Sequence, residues 1–86
     1  MLYGLTPADI ANLRTRQANV CPICSRSLTA GRRSEHVDHD HRDGTIRGLL
    51  CGDCNIGIGH FFDNPALMRS AADYIEMHNV AKMLAA

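Results

Sequence analysis

The stretch CPICSRSLTAGRRSEHVDHDHRDGTIRGLLCGDC, residues 21–54, begins and ends on the same four-residue pattern. Cys21 and Cys24 form one CxxC pair, and Cys51 and Cys54 form the other. A CxxC turn places two sulfurs on one ion, and a second such turn completes the tetrahedral set that zinc prefers. A site closed by four cysteines folds a domain and does not catalyse. Residues 25–50 separate the pairs, more than in the shortest zinc ribbons, so a folded element is expected between them. Two other readings compete. Disulfides suit a secreted chain, but the N-terminal MLYGLTPADI carries neither a basic leader nor an apolar run of signal length. A redox CxxC would need a βαβ context, which the pattern does not offer.

The segment between the pairs is unusual in its histidines. Five occur in the chain, and three of them fall in EHVDHDH, residues 35–41. Alternation around Val37 predicts a short strand there. Asp43-Gly44 is a strong hairpin turn signal, and TIRGLL reads as the returning strand. CGDCNIGIGHFF then starts a short helical segment, weakened by its glycines.

Outward from this core, GLTPADIANLRTRQ predicts a helix over about residues 7–17. Thr6 caps it, Pro7 takes the first position, and Asp9 favours the positive end of the helix. DNPALMRSAADYIEMHNVAKMLAA predicts a C-terminal helix over about 65–84, with Asn64 as cap and Pro65 at its first position. Leu67, Met68, Ala71, Ile75 and Met83 space out as an apolar face expected to pack. The fold class expected is α+β, in the order helix, CxxC turn, strand, strand, CxxC turn with helix, long helix. One domain spans residues 1–86, with a zinc and active-site core over about 20–62.

Composition bounds the function. The chain has 86 residues, nine basic and nine acidic, and formal charge zero. That excludes nucleic-acid binding by bulk charge, and four thiolates on one Zn²⁺ add about −2 more. Any phosphate-binding surface must therefore be local. Eight of the nine basic residues are Arg, whose planar fork suits specific phosphate contacts. No run approaches the roughly 20 apolar residues of a membrane span, so a cytoplasmic protein is expected.

Asp38, His39, Asp40, His41 and Asn55 are the chemically interesting set. A carboxylate with an amide oxygen suits a hard ion such as Mg²⁺. A neutral imidazole can take a proton from water near pH 7. Together they suit metal-assisted hydrolysis, with the cysteine site holding strand and helix so that Asp38 and Asn55 converge.

The combination CPIC, HVDHDH, GTIRGLLCGDCN and DNPALMRSAADYIE resembles the phage recombination endonuclease VII family, one of the HNH or ββα-metal nucleases. The likeness runs over about residues 3–76. It implies a small zinc-stapled ββα-metal (His-Me) finger flanked by an N-terminal and a C-terminal helix. It implies a divalent-metal-dependent DNA endonuclease that nicks or cleaves phosphodiester bonds in duplex or branched DNA. Cys21, Cys24, Cys51 and Cys54 would hold the structural zinc. Asp38 and Asn55 would hold a catalytic Mg²⁺ or Mn²⁺, His39 would be the general base, and His41 would contact the scissile phosphate or assist the leaving group. The family's best-known member has Glu three residues after the Asn, where this chain has Ile58. It also has a long C-terminal region used in dimerisation and junction binding, so a chain stopping at Ala86 is expected to be a compact catalytic unit. A homodimer would supply two active sites for two cuts in a duplex. The family suggests a phage or prophage source acting in the bacterial host cytoplasm.

Each assignment has a plainer counterpart. Asp38 and His39 could be solvated residues of an exposed strand. His36 reads as a loop-orienting hydrogen bonder, Asp40 as a supporting or solvated carboxylate, and His60 and His78 as surface residues. Arg32, Arg33 and Arg47 are candidate DNA contacts, against the alternative of solvated arginines. At the level of the whole chain, the alternative is a zinc-stabilised nucleic-acid-binding module without chemistry. A nuclease relic, lacking the Glu, is the remaining one.

Overall fold

Thr6 starts the first helix by a reciprocal cap. Its Oγ1 accepts from the Asp9 backbone N–H at 3.1 Å, and Asp9 Oδ2 accepts from the Thr6 N–H at 2.9 Å. The computed structural model describes residues 4–28 and 35–85. Arg32 and Arg33, read above as candidate DNA contacts, lie outside the described residues. The element order is α1 (Pro7–Arg16), β1 (His36–His39), β2 (Ile46–Leu50), α2 (Gly52–His60) and α3 (Pro65–Ala85). This is the α+β order expected from the sequence, with three helices and a two-stranded antiparallel sheet.

The hairpin turns where Asp43-Gly44 predicts. Asp40 and Thr45 close the turn, the Asp40 N–H donating to the Thr45 carbonyl at 2.8 Å. Gly44 donates back to the Asp40 carbonyl at 2.7 Å, with φ at +77°. That left-handed conformation favours glycine. The register pairs His36 with Leu50, Val37 with Leu49, Asp38 with Gly48, and then His39 with Ile46. Arg47 is skipped, so it forms a bulge opposite the Asp38–His39 step.

The chain separates into two compact units, Met1–Ile56 and Gly57–Ala86. Among the described residues the first has a very small core: Cys21, Leu28, Leu49, Leu50 and Cys51 are its buried apolar residues. Two of the five are cysteines, so packing alone supplies little and a staple is needed. Gln17 closes the outer edge of β2. Its Nε2 donates to the Leu49 carbonyl and its Oε1 accepts from the Leu49 N–H, both at 2.9 Å. A side chain thus stands in for a third strand at one position of the exposed edge. A Cβ at residue 48 would lie 2.8 Å from Gln17 Oε1, so Gly48 is what lets the amide approach.

In the second unit, Phe62 and Asp63 take left-handed conformations after the end of α2. Asn64 Oδ1 then accepts from the backbone N–H groups of Ala66 and Leu67 at 2.9 and 3.3 Å, capping α3 as the sequence predicts. The expected packing face is only partly realised. Met68 and Ala71 are half-buried, whereas Leu67, Ile75 and Met83 are exposed. A 21-residue helix is about 31 Å long, and the few remaining residues of its own unit cannot cover it.

Candidate active site and metal centre

The four cysteine sulfurs lie within 4.8 Å of one another. The first CxxC sits in a tight loop closed by the bridge between Val20 and Ser27 and by the Cys21 N–H donating to the Arg26 carbonyl at 2.8 Å. The second begins at the last residue before α2 and ends in its first turn, so that the Cys54 N–H points at Cys51 Sγ, 3.4 Å away. The approach between the two turns is close, with Cys24 Sγ 3.6 Å from Cys51 Sγ. Burial disfavours the Cys21 thiolate. The backbone N–H groups of Cys24, Cys51 and Ile23 together outweigh it and bring its pKa down to about 6. Burial, followed by hydrogen bonds from the Cys54 S–H to the other sulfurs, pushes the Cys54 thiol up. Four sulfurs at this spacing fit a zinc ion by donor type and by number. Arg26 pairs with Asp53 from the other CxxC turn, and its charge lies near the sulfurs of Cys24 and Cys51. An ion pair this exposed adds little stability, but it places a cation beside a cluster that is anionic when deprotonated.

The hairpin leads directly from the candidate catalytic residues to Cys51. Asp38, in the middle of β1, is only 7% exposed. Its two oxygens accept from Arg47 Nε at 2.7 Å and Arg47 Nη2 at 2.9 Å. Bulges re-aim side chains, and here the bulged residue of β2 turns its guanidinium onto the carboxylate of β1. Arg47 Nη2 also reaches the His39 carbonyl at 3.4 Å. His39 follows Asp38 on the strand and is half-buried. Its ring lies 4.7 Å from that of exposed His41, tilted by 52°.

Asp40 is committed elsewhere. It accepts from the Arg42 backbone N–H at 2.8 Å and from the Arg42 guanidinium at 2.8 and 3.1 Å. The Arg42 side chain, then its backbone N–H, hold the Asp40 carboxyl well below the usual range. Asp40 therefore stiffens the turn, as a supporting carboxylate. His36, His60 and His78 are exposed. His78 Nδ1–H donates to the Tyr74 carbonyl at 2.9 Å, one turn back on α3.

Asn55 follows Cys54 on α2, half-buried, with its N–H bonded to the Cys51 carbonyl at 3.0 Å. Its side chain makes no hydrogen bond with another described residue, which leaves an amide oxygen unspent. Asp38 and Asn55 offer the oxygen donors that a hard divalent ion takes, but both Asp38 oxygens are engaged by Arg47. Ile58, on α2, offers no donor. The Gln17 contact with β2 and the Arg14–Glu35 fork, in which both bonds measure 2.7 Å, were among the interactions not foreseen from the sequence. The fork ties α1 to the residue before β1.

A paired antiparallel hairpin, joined through its second strand to a four-thiol cluster that could hold a metal and followed by a helix, defines a small ββα unit. The chain belongs to the recombination endonuclease VII family, whose model matches residues 1–77. It is 38% identical over 74 residues to the Gene 59 protein of Mycobacterium phage D29, covering 85% of this chain and 44% of that protein. With the Gene 59 protein of Mycobacterium phage L5 it shares 42% identity over 53 residues, 62% of this chain and 32% of that protein. The chain thus spans less than half the length of these relatives. Among the described residues, no helix is long and apolar enough to cross a membrane.

Proposed function

We propose that this chain is an HNH-type, divalent-metal-dependent DNA endonuclease unit with structural zinc on Cys21, Cys24, Cys51 and Cys54. The observation that carries the reading is that a buried carboxylate, Asp38, and the half-buried imidazole of His39 are consecutive on the strand, at the step opposite the bulge. Burying a carboxylate is costly unless it is paired; Asp38 is held by Arg47, so a carboxylate, a candidate base and a phosphate-binding cation stand together, which favours hydrolysis over passive binding.

In this reading Asp38 and Asn55 hold a Mg²⁺ or Mn²⁺ ion, which when bound would neutralise charge on the phosphoryl and leaving oxygens. His39 removes a proton from the attacking water. His41 contacts the scissile phosphate or assists the departing oxygen. Arg47, and Arg32 and Arg33, contact the DNA backbone. Ile58 leaves the Glu position of the family's best-known member unfilled, so hydrolysis rests on the remaining set. The DNA is duplex or branched, and the phage origin of the relatives supports action in the cytoplasm of a bacterial host. A homodimer would bring two sites to a duplex, and Ile75, Val80 and Met83 leave apolar surface on α3 for such an assembly.

The test uses an end-labelled duplex and a synthetic four-way junction, incubated with zinc-loaded protein and Mg²⁺, Mn²⁺ or EDTA. Cleavage with an ion and none with EDTA supports the nuclease. Tight binding of either DNA with no cleavage under any ion favours the zinc-stabilised binding module instead.

A further inference from the structure

Arg47 occupies both oxygens of the one carboxylate that the proposed chemistry requires. We propose that Arg47 is an exchangeable partner of Asp38: a DNA phosphate draws its guanidinium away, and Asp38 then becomes open to a divalent ion. The inference rests on the nuclease reading and adds an order to it, substrate phosphate first and ion second.

Three observations carry it. The two Arg47–Asp38 bonds, at 2.7 and 2.9 Å, use the whole edge of the carboxylate. A cation at that edge and the guanidinium are therefore mutually exclusive. The pair is also asymmetric in exposure: the Arg47 side chain is 37% exposed and that of Asp38 9%. Solvent and substrate reach the arginine, whereas the carboxylate is reached past it. Finally, Arg47 opens onto a cleft of 430 Å³ between α1 and β2, lined also by Asn12, Leu13, Arg16 and Ile46. Asp9 lines the cleft as well, but its Oδ2 is engaged by the Thr6 N–H. Arg16 pairs with no carboxylate among the described residues, and so provides a second cation beside the displaced guanidinium.

The exchange is chemically matched. A guanidinium fork meets two phosphate oxygens in the same bidentate geometry as two carboxylate oxygens. Asp40, whose charge lies near Arg47, already has both oxygens bonded to Arg42. Because coupling between two binding events is reciprocal, phosphate on Arg47 tightens ion binding at Asp38, and the ion tightens DNA binding by the same factor.

The experiment titrates Mn²⁺ alone, without DNA, into the zinc-loaded full chain and reads free Mn²⁺ by electron paramagnetic resonance. Arg47→Gln is expected to bind Mn²⁺ about tenfold or more tightly than the unaltered chain. Arg47→Lys, which keeps the charge and loses the fork, should fall between them. The gain should vanish in Arg47→Gln/Asp38→Asn. A duplex oligonucleotide added to His39→Ala protein should tighten Mn²⁺ binding by a similar factor. Equal or weaker Mn²⁺ binding by Arg47→Gln with its zinc content unchanged overturns the proposal, as does a gain that survives Asp38→Asn. Should Arg47→Gln fail to fold, Arg47→Lys is judged by the same criteria. A chain that shows the Arg47-dependent gain and cuts no DNA fails the nuclease reading alone. A chain that cuts DNA and shows no gain fails the exchange alone.

Discussion

Gln17 and Gly48 show how much rests on single side chains in so small a unit. Gln17 meets the backbone of Leu49 through both ends of its amide. Replacing it with Ala leaves those partly buried backbone groups without the amide, at a cost of about 1–3 kcal/mol. Gly48→Ala presses a methyl against the same amide oxygen and should destabilise too. In a Gln17→Ala background that methyl finds room, so the double variant should lose less than the two singles together. Denaturant melts of the zinc-loaded proteins check this, and strict additivity would count against it. Residues acting on near neighbours were legible in advance: Thr6 with Asp9, Asn64 with Ala66, each cysteine with its CxxC partner. Gln17 was not, because its partner lies 32 residues on and nothing local distinguishes this glutamine from a solvated one.

At the scale of elements, the hairpin decides where the chemistry sits. Its turn was readable from Asp43-Gly44, and its strands from alternation around Val37 and from TIRGLL. The bulge was not readable, since the pattern of a regular pairing and that of one skipped residue differ only at Arg47. That one skip turns Arg47 onto Asp38, which no count of residue spacing foretells. The α2 helix forms despite Gly52, Gly57 and Gly59, because it starts at Cys51, a member of the buried cluster. Tertiary anchoring outweighs weak propensity there. The turn itself depends on Gly44, whose φ of +77° other residues adopt only with strain. Gly44→Ala should cost on the order of 1 kcal/mol. It should leave zinc stoichiometry unchanged, because the cysteines lie at the opposite end of the hairpin. A melt with a zinc assay alongside reads both, and loss of zinc from that variant would show the turn to be coupled to the cluster.

At the scale of the molecule, the cysteine cluster makes up much of the small core of the first unit. Among the described residues, Cys21 and Cys51 are two of the five buried apolar residues of the first unit, so zinc on the cysteines is expected to carry much of its stability. The account expects one zinc per chain. Chelation should abolish the cooperative melt of the protein, and added zinc should restore it. A chelated protein that kept its melt would show a sufficient apolar core. The site is a separate matter: the metal cluster and the order of elements were legible in the sequence, and the contacts that tune Asp38 were not, because they depend on register.

The central claim, that this scaffold cuts DNA through His39, is tested most directly on supercoiled plasmid. Zinc-loaded protein with Mg²⁺ or Mn²⁺ should convert it to open-circular or linear DNA, and EDTA should stop the conversion. The zinc-loaded His39→Ala protein should be slower by about 10²–10⁴-fold. Full-rate conversion by that variant, or none by the folded, zinc-loaded unaltered protein with either ion, would contradict the account.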